Sequence, residues 1–167
     1  MNELFNKIAQ LAAEVSAFES KVKTDNATKS SNGRETIRAY MEKLLHCIAP
    51  IKAAEVREYE ICEFVTHNVQ FRFSETSIEC VLYSGEKKDG KMFRPVGIAF
   101  SYDVRTRRLS NHGGFSADSF SNDDVLKNMD LIEKFASIPV DVIDKHVAEW
   151  CMDRLNVRMQ IANATMR

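Results

Sequence analysis

The decapeptide LSNHGGFSAD, residues 109 to 118, places a histidine, two glycines and two serines within ten positions. Backbone N–H groups beside glycines can aim at a developing oxyanion, and a serine held on a strained strand-to-helix elbow can act as a nucleophile. The chemistry would be acyl transfer, with Ser116 attacking and His112 as its base. Two features speak against it. An elbow is written GxSxG, whereas Gly114-Phe-Ser116-Ala is followed by Asp118, so the second glycine is absent. An elbow also needs a parallel sheet, and the strands nearby are joined by links too short for parallel crossovers. Asn111, Gly113 and Gly114 read instead as residues of permissive backbone angle where the last strand hands over to a helix.

The other nucleophile and ligand candidates are scattered. His46 and Cys47 are neighbours, and adjacent helical positions diverge by about 100°. Cys62 and His67 are an odd number of residues apart, so on one regular strand they would face opposite ways. Cys80 could meet His112 only through the fold, and a small cysteine or serine hydrolase built on His112 with Cys80 or Ser116 is the third functional reading. Histidines 46, 67, 112 and 146 show no ligand spacing such as HExxH or CxxC, so no metal is expected. No Walker sequence and no GxGxxG occurs, so no nucleotide cofactor is expected either. The four cysteines form no CxxC pair and follow no basic-then-apolar leader, which points to a reducing cytoplasm. No apolar run approaches the roughly 18 to 20 residues of a spanning helix, so no membrane partner is expected.

Net charge is -1 and the pI about 6.4, which excludes a global field toward nucleic acid or an anionic membrane. Local asymmetry remains. From Leu82 to Arg108 seven basic residues (Lys87, Lys88, Lys91, Arg94, Arg105, Arg107, Arg108) face three acids (Glu86, Asp89, Asp103). From Ala117 to Asp153 nine acids face three lysines. Lys87, Lys88, Lys91, Arg105, Arg107 and Arg108 are therefore the candidate partner contacts. Successive turns of a meander lie at opposite ends, so the lysine loop and the RTRR turn are not expected to form one nucleic-acid groove. Phe100 and Tyr102 could stack on bases, but they share the parity of Val96 and Ile98, which marks them as core.

The elements that must position these residues follow from periodicity. Leu4, Ile8, Leu11, Val15, Phe18 and Val22 recur at alternating spacings of four and three, the seam of a coiled coil. Residues 1–23 are thus predicted as a helix that pairs with a second copy, although a helix docked on its own domain shows the same stripe. Residues 24–34, polar and without hydrophobic period, read as a linker. Residues 35–167 form the remaining domain. A helix is predicted over 35–49 with a break at Pro50, and a strand from about Tyr59, where odd positions through Phe73 alternate in the strand period. Val69–Phe73, Ile78–Tyr83, Val96–Tyr102 and a short strand near Arg107–Ser110 complete an antiparallel meander of four or five strands. Ser121 with Asp124 gives a capping-box-like helix start, and Phe120 with Val125 has staple spacing. Two C-terminal helices are predicted, the second from about Val140. The order is α+β: N-terminal helices, a central antiparallel meander, and two C-terminal helices packed on the sheet.

With 167 residues, 44% of them hydrophobic, one core is the default. The functional expectation is a non-enzymatic protein-interaction module, a homodimer without cofactor that binds and regulates or inhibits a larger protein. A nucleic-acid accessory protein contacting phosphates through its basic turns is the alternative.

Overall fold

The computed structural model describes residues 2–55, 60–85, 95–111 and 120–166. The architecture is the predicted α+β arrangement. A long helix α1 (Asn2–Lys43) leads through a 3-10 turn (Leu45–Cys47) into α2 (Ile48–Ala54). Five strands follow: β1 (Cys62–Thr66), β2 (Val69–Phe73), β3 (Ser77–Tyr83), β4 (Val96–Asp103) and β5 (Arg108–Asn111). They pair in sequence order, each antiparallel to the next. Helices α3 (Asn122–Lys127), α4 (Met129–Ala136) and α5 (Val140–Thr165) close the chain. No helix among the described residues is long and apolar enough to cross a membrane.

The segment read as a linker is helical, so α1 runs unbroken across residues 24–34. Tertiary packing accounts for the difference. The hydroxyls of Thr24, Thr28 and Thr36, in and just after the segment, donate to the carbonyls of Ser20, Thr24 and Asn32 one turn earlier, which satisfies them within the helix without adding to its stability. The segment packs through small residues: Ser30 and Gly33 are buried, and α1 touches α3 and α4 there. A close-packing face of small residues has no hydrophobic period to detect. Arg34 fixes the crossing, its guanidinium donating to the Phe120 carbonyl at 2.7 Å and to Asn122 Oδ1 at 3.2 Å while lying 4.3 Å from the Phe120 ring centre.

The break expected at Pro50 comes earlier, at the 3-10 turn. Pro50 stands in the first turn of α2, where its missing N–H leaves no hydrogen bond unmade. Of the run predicted as strand from Tyr59, which itself lies outside the described residues, β1 takes Cys62–Thr66, and the expected odd-position alternation does not continue across the turn into β2. His67 and Asn68 both have positive φ (52° and 61°) and make a two-residue hairpin turn of the I′ kind. Thr66 pairs with Val69, so the inward parity changes from even on β1 to odd on β2. Cys62 is fully buried while Val65 is 47% exposed, against the odd-position pattern.

All helices that pack on the sheet cover one face. Phe71, Phe73, Ile78, Cys80, Leu82, Ile98, Phe100 and Tyr102 point into that layer and are buried. Phe135 of α4 is its centre, with ring centres 4.7 Å from Tyr40, 5.4 Å from Phe100 and 6.0 Å from Phe71. Burying each such ring contributes about 1.5–3 kcal/mol. The Ser121 capping box is present in both directions, Asp124 N–H to Ser121 Oγ and Ser121 N–H to Asp124 Oδ2. The single helix expected behind it is divided at Asn128, whose φ of -118° is not helical and whose side-chain amide donates to the Asp124 carbonyl at 2.7 Å. Three helices therefore stand where two were predicted.

Candidate functional site

The first half of α1 stands away from the domain, with every residue from Asn2 to Lys29 exposed. The six seam residues lie along it at exposures of 40% for Val22 to 68% for Phe18. None of them docks on its own domain core. At its inner end the stripe enters a groove of about 550 Å³ between α1 and α3, where Phe18, Val22, Asn26 and Ser30, four residues apart in turn, face Asn122 and Leu126. The apolar face of α1 is thus continuous with an open channel at the domain edge. A second set of exposed apolar side chains, Met152, Leu155, Met159 and Ile161, lies on the distal half of α5.

The basic turn is built from β4 and β5. Asp103 Oδ1 accepts the backbone N–H groups of Arg105 (2.9 Å) and Thr106 (2.8 Å), and Arg107 adopts φ 55° to close the hairpin. The Thr106 N–H, with Arg105 beside it, holds the Asp103 carboxyl below its ordinary value. Arg107 reaches back to Glu42 of α1 at 3.2 Å, and Glu42 also accepts from the Tyr102 hydroxyl. Arg105 and Arg108 are exposed. The turn therefore presents two arginines outward and ties the third to α1. Lys87, Lys88 and Lys91 lie outside the described residues, as do His112 and Ser116.

The four thiols are buried. Cys80 lies on β3 opposite Phe71 and Phe100, and burial pushes its thiol well above the ordinary value. A thiol so enclosed is a poor nucleophile. Burial likewise raises Cys62 to about 12.

Sequence reasoning missed one convergence. The side chains of His46 and Cys47 do diverge, but Asp144 of α5 sits between them. His46 Nε2 is 2.6 Å from Asp144 Oδ1, and the Cys47 thiol donates to the same oxygen at 3.5 Å. Cys47 faces the core at 2% exposure while the His46 and Asp144 side chains are half-exposed. Burial, then Asp144, pushes the Cys47 thiol up to about 12. A carboxylate placed between thiol and imidazole opposes thiolate formation, the reverse of what a cysteine nucleophile requires. Asp144 is 97 residues from Cys47, so no local spacing could have shown the group. Among the described residues these three form a set of mixed metal-type donors, with donor atoms within 4.8 Å of one another. No family model matches this chain, and neither does a curated protein or a solved structure.

Proposed function

We propose that this chain is a non-enzymatic protein-interaction module, a homodimer joined through the first half of α1, that binds and regulates a larger protein partner. The projecting seam carries the reading. Six large apolar side chains at heptad spacing, 40–68% exposed on one helix face, form a stripe of the kind that a second helix covers. Three heptads are few for a coiled coil standing alone, and the groove beside α3 extends the contact by bringing Leu126 alongside Phe18 and Val22. Arg105 and Arg108, with the lysines of residues 87–91, are the proposed contacts for the regulated partner.

Light scattering on the purified chain at micromolar concentration tests the pairing. The expected mass is twice 19.0 kDa. Replacing Leu11 and Val15 together by Asp should give a folded monomer, and a monomeric unaltered chain overturns the reading. Affinity capture at moderate salt tests the second half. The partner should survive nuclease treatment and be lost with Arg105→Glu combined with Arg108→Glu. Material released by nuclease would instead make it a nucleic-acid binder.

A further inference from the structure

The contact between the 3-10 turn and α5 holds more donors than a link between two helical segments needs. An ion pair would require only His46 and Asp144. Here a nearly buried thiol also points at the same carboxylate oxygen, and the three donor atoms lie within 4.8 Å of one another. They open onto a pocket of about 190 Å³ whose other walls are Pro50, Val147, Ala148 and Cys151. Asp144, Val147, Ala148 and Cys151 share one face of α5, being three, four and seven residues apart. The floor is thus apolar apart from sulfur. The mouth, at His46 and Asp144, is open to water.

We propose that His46, Cys47 and Asp144 bind a divalent transition ion of the zinc class, with a solvent molecule completing four-coordination. The donor set selects the ion. Thiolate and imidazole suit zinc and its neighbours, whereas magnesium and calcium take oxygen ligands. Charge also balances, since a dication with one thiolate, one carboxylate and a neutral imidazole is neutral. The two donor separations that involve Asp144 are close to what is needed, and the third, between His46 and Cys47, is within 4.8 Å. Zinc sits about 2.3 Å from sulfur and about 2.0 Å from nitrogen or oxygen, so tetrahedral donors stand roughly 3.3–3.6 Å apart. The Cys47–Asp144 separation of 3.5 Å is already in that range. The His46–Asp144 separation of 2.6 Å must open by under about 1 Å, which their half-exposed side chains permit. Binding forms a metal–sulfur bond and releases the Cys47 proton to solvent, with no change of oxidation state.

Cobalt(II) is the probe, added to chelator-treated full-length chain and followed by absorption, with zinc as competitor. The expected result is one equivalent per chain, a thiolate-to-cobalt charge-transfer band, and d–d bands of four-coordinate intensity, all abolished by zinc. Cys47→Ser should remove the charge-transfer band. His46→Ala, at a half-exposed side chain, should weaken cobalt at least about tenfold with an unchanged circular dichroism spectrum. No charge-transfer band in the unaltered chain overturns the proposal. So does a band that persists in Cys47→Ser, or an affinity indifferent to His46→Ala.

Discussion

At Gly33 a single hydrogen atom sets the distance between α1 and the helices that cross it. A Cβ there would stand 2.7 Å from Val125 Cγ1 and 2.9 Å from Met129 Sδ. Met129 can bend aside, but a β-branched valine has little rotamer freedom. Alanine would also recover about 1 kcal/mol of helix propensity, so Gly33→Ala is a contest of similar terms. Leucine has no such offset in proportion to its bulk. Gly33→Leu is expected to destabilise the protein by about 2–3 kcal/mol in urea denaturation, as overpacking does. An unchanged midpoint would mean that the helices do not cross at this position. Gly97 has a similar role on β4: it is passed over where the register shifts between Leu82 and Tyr83, and a Cβ there would meet Leu131 Cδ1 at 2.4 Å and Asn128 Oδ1 at 2.7 Å. In sequence Gly33 falls in the polar stretch 24–34 that reads as a linker. The cue that this reading passes over is that Ser30, Gly33, Ile37, Tyr40 and Leu44 already keep helical spacing.

Individual elements were legible where their signals are local. The Ser121–Asp124 box was readable because cap and N3 residue are three apart, and both bonds are made. Ser121→Ala should cost about 1 kcal/mol of stability, measured by thermal or urea unfolding, because it removes the acceptor of the Asp124 N–H. A loss no larger than that of a neighbouring exposed serine would show that α3 is held by Arg34 and Phe120 alone. The β1–β2 hairpin was harder. His67 and Asn68 are both in left-handed conformation, yet neither is glycine, so the turn carries no Asn-Gly or Asp-Gly signature. Asn68 is held instead by tertiary bonds, its amide donating to the carbonyls of Tyr83 at 3.1 Å and Gly85 at 3.3 Å. Strand alternation continued across such a turn assigns β1 to the wrong face.

At the scale of the whole molecule, the chain divides by burial. Residues 30 to 151 contain all the described core, while the first 28 residues of α1 and the distal half of α5 project from it. Removing residues 1–23 should therefore leave unfolding free energy per chain within about 0.5 kcal/mol of that of the monomeric variant with Leu11→Asp and Val15→Asp, since no buried group is lost. A larger loss would place the stripe against its own domain. What the sequence determined by itself was the set of features encoded at short range: the meander, the inward parity of Ile98, Phe100 and Tyr102, the cap of α3, and the apolar stripe on the helix at residues 4 to 22. Periodicity and capping are properties of a few consecutive residues, so they survive without coordinates. The tertiary structure alone decided that residues 24–34 are a helix docked through small side chains, that β1 turns its even residues inward, and that His46 and Cys47 meet Asp144. Each of these depends on groups brought from outside the local stretch, 15 and 17 residues for Asn68 with Tyr83 and Gly85, 88 for Arg34 with Asn122 and 97 for Cys47 with Asp144. Packing of that range leaves no spacing in the sequence to read.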